Sequence, residues 1–150
     1  MNIFRIILVI ILLFSIIFLG GAFLLPDKQY FTETRIIKTD PVAVFSIIEN
    51  PEILATIGEE IFSKQQLDIE IEEKIEYTEI RYLINSDKIS DPLNAGFVLN
   101  EDNEGTELTA YIGIDSLQYP LGRWKGFFIP FIHRKNFTEI IDKLEVYLLN

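Results

Sequence analysis

The run from Ile6 to Leu25 holds 20 consecutive residues without a charge, and it constrains this chain more than any other stretch. At about 1.5 Å of rise per residue, a helix of that length covers about 30 Å, the thickness of a bilayer's hydrocarbon core. Arg5 precedes the run, and Pro26, Asp27 and Lys28 end it. A cleaved secretory leader has a shorter apolar core and a small-residue cleavage site. Gly20-Gly21-Ala22 supplies such a site, but Phe23, Leu24 and Leu25 prolong the apolar run beyond it. Residues 1–25 therefore read as an N-terminal transmembrane anchor and residues 26–150 as one domain; a cleaved leader and a buried soluble helix are the rival readings. Arg5 and the amino terminus outweigh Lys28, which Asp27 offsets. That bias puts the N-terminus in the cytoplasm and the domain on the extracytoplasmic side of a single-pass protein.

The formal charge of −10 is unevenly spread. Residues 27–122 carry 20 acids against 7 bases, whereas Arg123, Lys125, Arg134 and Lys135 stand together with no acid between them. An acidic domain repels phosphate backbones, which argues against nucleic acid as a partner. The sequence has no Cys, so disulfides, zinc–thiolate sites and thiol chemistry are excluded.

After the anchor, Tyr30 to Lys38 is dense in β-branched and aromatic residues and predicts a strand. Asp40 and Pro41 are a helix cap and a first-turn proline for a short helix ending near Asn50. Pro51 opens a second short helix, which Gly58 is expected to close, and Glu59 to Gln66 is a polar connection. From Leu67 the period becomes two: Leu67, Ile69 and Ile71 alternate with Asp68, Glu70 and Glu72. Ile75 to Asn85 predicts a further strand with a bulge between Tyr77 and Ile80. Asn85 to Asn94 reads as a loop. Ala95 to Asn100 and Thr106 to Asp115 read as a hairpin with a five-residue turn, its last strand dry along Leu108, Ala110, Ile112 and Ile114. Leu121 to Ile129 is helical in pattern, Pro130 is expected to interrupt it, and Phe137, Ile140, Ile141, Leu144 and Leu148 form the stripe of a long amphipathic helix. One dry sheet face and one long striped helix predict an α+β arrangement, the helix laid across an antiparallel sheet of about five strands.

Two local patterns strengthen that expectation. Ile37-x-Thr39-Asp40-Pro41-x-x-Val44-Phe45-x-x-Ile48 resembles the first strand and first helix of the START-like superfamily, also called SRPBCC or polyketide cyclase/dehydrase-like. Tyr119-Pro120-Leu121 through Phe127-Phe128, Phe137 and Leu144 is similar to that family's entry into its terminal helix, and Leu25-Pro26 to the exit of the membrane helix that some bacterial members carry. The resemblance implies a helix-grip fold. It departs from the family in having about two fewer strands and no Trp-rich stretch after the second short helix, which leaves less sheet to cover the terminal helix. It also implies a ligand cavity between the sheet (Tyr82, Leu108, Ala110, Ile112) and Phe127, Phe128 and Phe131, although the same residues serve equally well as ordinary core.

Other candidate chemistry is sparse. The lone His133 stands beside Arg134 and Lys135 without a local acid and reads as a surface residue. Asp68, Glu70 and Glu72 share a strand face but lack the loop spacing of a cation site. Gly122-x-x-x-Gly126 mimics a membrane-helix dimer motif, with Arg123 and Lys125 inside it arguing against burial in lipid. No phosphate loop or nucleophile elbow occurs, and neither a metal nor a cofactor is implied. The cluster Arg123-Trp124-Lys125-x-Phe127-Phe128 with Arg134 and Lys135 joins cations to amphipathic rings next to an anchored domain; it reads either as a contact with membrane lipid or as a helix entry with snorkelling cations. The leading expectation is a membrane-anchored START-like domain that binds a hydrophobic small molecule or lipid without catalysis. The alternatives are a cyclase or dehydratase, with Tyr82, Tyr111 and Arg81 as its polar groups, and a filled-core envelope interaction module.

Overall fold

A computed structural model describes residues 3–61, 67–86 and 91–149. Helix α1 (Ile3–Leu24) leads into β1 (Gln29–Ile37), α2 (Pro41–Ile48) and α3 (Pro51–Ile61). Strands β2 (Leu67–Ile75), β3 (Glu79–Ser86), β4 (Leu93–Asp102) and β5 (Gly105–Ile114) follow, then the long helix α4 (Leu121–Leu149). The strands form one antiparallel sheet in the order β1-β5-β4-β3-β2. Residues 62–66 and 87–90, which the sequence assigned to connections, and the His133 side chain lie outside what is described.

The short helices begin where the sequence places them. Asp40 caps α2 by accepting from the backbone N–H of Val42 at 2.9 Å and of Ala43 at 3.2 Å, with Pro41 in the first turn. The Asn50 side chain accepts from the Glu52 N–H at 3.0 Å to start α3. That helix does not stop at Gly58 but runs on to Ile61. Gly58 is there for closeness: a Cβ at this position would come within 2.6 Å of Leu67 Cδ1, so the missing side chain lets α3 lie against β2.

The hairpins differ from expectation in their turns. Where a bulge was expected, Tyr77 adopts a left-handed backbone (φ 58°) and closes a turn from Ile75 to Glu79. The register shift of the β2–β3 pair falls instead between Ile71 and Glu73. The β4–β5 turn is two residues, not five: Asp102 pairs with Gly105, and the Asp102 carboxylate accepts from the Glu104 N–H at 2.9 Å. Gly105 sits at φ +144° with its α-carbon against the Ile37 carbonyl, where a side chain would clash.

Helix α4 continues unbroken through position 130, so the expected interruption at Pro130 does not occur. A proline removes one hydrogen bond from a helix, and the helix runs on for 19 residues beyond it to Leu149. Toward the C-terminus Phe137, Ile141, Leu144 and Leu148 are buried and Ile140 is half-buried, which is the stripe expected from the sequence. They pack on a core of Ile37, Val44, Phe45, Ile48, Ile57, Ile80, Leu99 and Leu108. Polar ties fix the crossing: Thr138 donates to Glu33 at 2.9 Å, Arg35 bridges to Asp142 at 3.0 Å, and Lys143 to Glu60 of α3 at 2.6 Å.

Candidate functional site

The alternation of β1, β3, β4 and β5 sends one set of side chains toward α3 and α4. These helices do not fill the space completely. A cavity of about 370 Å³ lies between them and the sheet. Its floor is Phe31 of β1, Tyr82 and Ile84 of β3, Ala95 and Phe97 of β4, and Ala110 and Ile112 of β5; Leu54 and Gly58 of α3 and Phe137, Ile140 and Ile141 of α4 roof it. Among the described residues that line it there is no carboxylate, amine or imidazole. The Tyr82 hydroxyl is committed, donating to the Ile48 carbonyl at the end of α2. Burial, reinforced by the Glu49 charge, pushes its pKa up, so the phenol stays neutral at physiological pH.

Of the residues the sequence suggested for a cavity, the structure brings Tyr82, Ala110 and Ile112 together. Leu108 lies deeper, in the closed core. Phe127, Phe128 and Phe131 are on the far side of α4, exposed and away from the cavity. Arg81 and Tyr111 occupy the opposite face of the sheet from Tyr82: Arg81 pairs with Glu79 at 2.7 Å and Glu73 at 3.0 Å, and Tyr111 packs over Gly96. The polar trio named for an enzyme is therefore split by the sheet. Among the described residues no group of His, Asp and Glu gathers as a cation site.

The basic-aromatic segment has a definite partner, the end of α1. Trp124 donates its indole N–H to the Phe18 carbonyl at 2.9 Å and stacks on the Phe18 ring at 5.9 Å. Its six-membered ring passes directly over Gly21, where a Cβ would stand 2.7 Å from the indole. Tyr119 donates to the Leu19 carbonyl at 3.0 Å. Arg123 directs one guanidinium nitrogen at the carbonyls of Ala22, Phe23 and Leu25, at 3.3–3.4 Å. A helix ends in unpaired carbonyls and the negative pole of its dipole, and a cation placed there satisfies both. Gly122 and Gly126, the dimer-like pair, instead face Leu117 within the same chain, which lets the segment after β5 close against α4. Lys125, Arg134 and Lys135 are exposed. Phe128 and Trp124 face Phe14, Ile17 and Phe18 of α1 across a shallow apolar groove.

Helix α1 is long and apolar enough to cross a membrane, and its side chains are almost all exposed. No family model and no curated protein matches the sequence. Solved structures do match the fold. A protein from Mesorhizobium loti is 17% identical with a TM-score of 0.56, over 81% of this chain and 96% of that one. A Rhodobacter sphaeroides protein is 11% identical with a TM-score of 0.59, over 81% of this chain and 92% of that one. Ara h 8.0201 is 13% identical with a TM-score of 0.50, over 81% of this chain and 98% of that one. The chain thus has the helix-grip fold that its resemblance to the START-like superfamily implies.

Proposed function

We propose that this chain is a membrane-anchored helix-grip domain that holds one hydrophobic small molecule or lipid without chemically altering it. Residues 1–25 serve as the anchor and residues 26–150 as the binding domain, on the extracytoplasmic side by the charge bias around α1. The observation that carries the reading is the apolar cavity of about 370 Å³. It falls at the lower end of the range of small-molecule sites, roughly 300–1,000 Å³, and it is a space that a filled-core interaction module has no use for. Its described lining offers no acid–base pair, which favours binding over cyclisation or dehydration. Lys125, Arg134 and Lys135, exposed on α4, supply cations suited to headgroups, while Arg123 and Trp124 tie α4 to the end of α1.

The test is mass spectrometry of apolar molecules that copurify with the full chain in lipid nanodiscs, compared with Ala95→Trp, which places an indole in the cavity. A molecule enriched over the surrounding lipid in the wild type and absent from the folded variant is the expected result. Equal recovery from both proteins, or no enrichment in either, defeats the reading.

A further inference from the structure

The cavity is closed at one end of the sheet and open at the other. At the closed end Ile37, Ile80, Leu99 and Leu108 are at most 3% exposed, under α2 and the last turns of α4. Along the same dry face Phe31, Ile84, Ala95 and Ile112 are only half-buried. The strand register identifies this looser end. Gln29 pairs with Ile114, Asn94 with Gly113, Leu93 with Ile84, and Leu67 with Ser86, so the start of β1 and the mouth of the cavity share one rim.

That rim is the end nearest α1. Gln29 follows Leu24 by five residues, a reach of at most about 17 Å. Helix α4 marks the same side. It meets the sheet first at Phe137, which packs on Phe31 near the start of β1, and from there runs along β1 away from the anchor. The 16 residues before Phe137 make about 24 Å of helix beyond that contact, and this overhang is the part that grips α1 through Arg123 and Trp124. Its exposed Leu121, Phe127, Phe128 and Phe131 are continuous with the exposed apolar surface of α1 around Phe14 and Ile17. Whatever solvates that part of α1 also covers these rings, and for a helix of this length and composition the covering is acyl chain.

We propose that the cavity exchanges its ligand directly with the leaflet in which the end of α1 stands, and not through water. The proposal rests on the ligand-binding reading above, and adds the source and route of the ligand. The mouth opens toward the bilayer, and the aromatic overhang of α4 gives an apolar path along its edge. An apolar molecule leaving the leaflet then never meets bulk water, and exposure to water is the main barrier to moving a long-chain lipid.

The test uses the full chain reconstituted in vesicles and a long-chain fatty acid bearing a diazirine at its tail. The probe is supplied either within the same vesicles or in separate protein-free vesicles, and photolysis at successive times is followed by mapping of the cross-linked peptides. Probe in the protein's own bilayer is expected to label the cavity strands around Ala95 and Ile112 on the order of a hundredfold faster than probe from separate vesicles, because its effective concentration at the mouth is so much higher. Equal rates from the two sources, with the cavity labelled in both, overturn the leaflet route and leave ligand binding standing. Absence of cavity labelling from either source, with α1 labelled, overturns the binding reading itself.

Discussion

Gly21→Leu is the sharpest probe of the joint between α1 and α4, because the neighbouring glycine provides its control. Gly20 has open space around it, whereas a Cβ on Gly21 meets the Trp124 ring at 2.7 Å. Both substitutions keep α1 apolar and raise helix propensity by the same amount, so they differ only in what the new side chain strikes. A leucine at 21 displaces the indole. Its hydrogen bond to the Phe18 carbonyl is worth about 1 kcal/mol, the ring stack on Phe18 about 1 kcal/mol, and the Arg123 cap that follows Trp124 about 0.5 kcal/mol. The combined loss is roughly 2 to 3 kcal/mol, a 30- to 150-fold fall in the docked-to-undocked ratio. Trp124 is the single tryptophan of the chain, so its emission reports the joint directly. In vesicles, Gly21→Leu is expected to shift the emission and change quenching by depth-placed brominated lipids, while Gly20→Leu matches the wild type. Identical spectra and quenching for the two variants refute the packing of Trp124 on Gly21.

Two further expectations concern the domain. Tyr82→Phe strands the Ile48 carbonyl in the core, and chemical denaturation of the full chain should show a loss of about 1–2 kcal/mol. Tyr30, held by burial and by its hydrogen bond to Asp115, has its pKa raised from 10.0 to about 12. The fold favours the neutral phenol, so this contribution to stability is complete below pH 10 and is lost as the pH rises toward about 12. A difference titration of the phenolate absorbance against Tyr30→Phe checks the value, and Asp115→Asn should move it back down.

Much of the fold was legible because it is written in short-range period and cap chemistry. The apolar run of α1, Asp40 and Pro41 at the start of α2, the alternation of β5 and the stripe from Phe137 to Leu148 each need only a few neighbouring residues to be read. The turns were less legible, since Tyr77 takes a left-handed backbone that tyrosine rarely adopts and that no local propensity announces. Gly58 misled in the same way: a glycine that ends a helix and one that lets a strand approach look alike in one sequence. Parity put Ala110 and Ile112 on one face of β5 but could not announce the cavity or the rest of its lining, because periodicity tells which side chains face inward and not whether the facing surfaces touch.

The misplacement of Phe127, Phe128 and Phe131 has a different origin, and the sequence held the signal for it. A break at Pro130, as local propensity predicts, removes any fixed phase between the two halves. If α4 is instead one helix, Phe128 precedes Phe137 by nine residues, two and a half turns at 3.6 residues per turn, and must point to the opposite side. Trp124, four residues earlier, shares the face of Phe128. The helix therefore carries two stripes displaced around its axis, one near each end. The C-terminal stripe grips the sheet and roofs the cavity, and the N-terminal stripe grips α1. Since a helix resists twisting between its ends, fixing one stripe against α1 fixes the other over the cavity, and the angle between α1 and the cavity is set by the phase of a single helix.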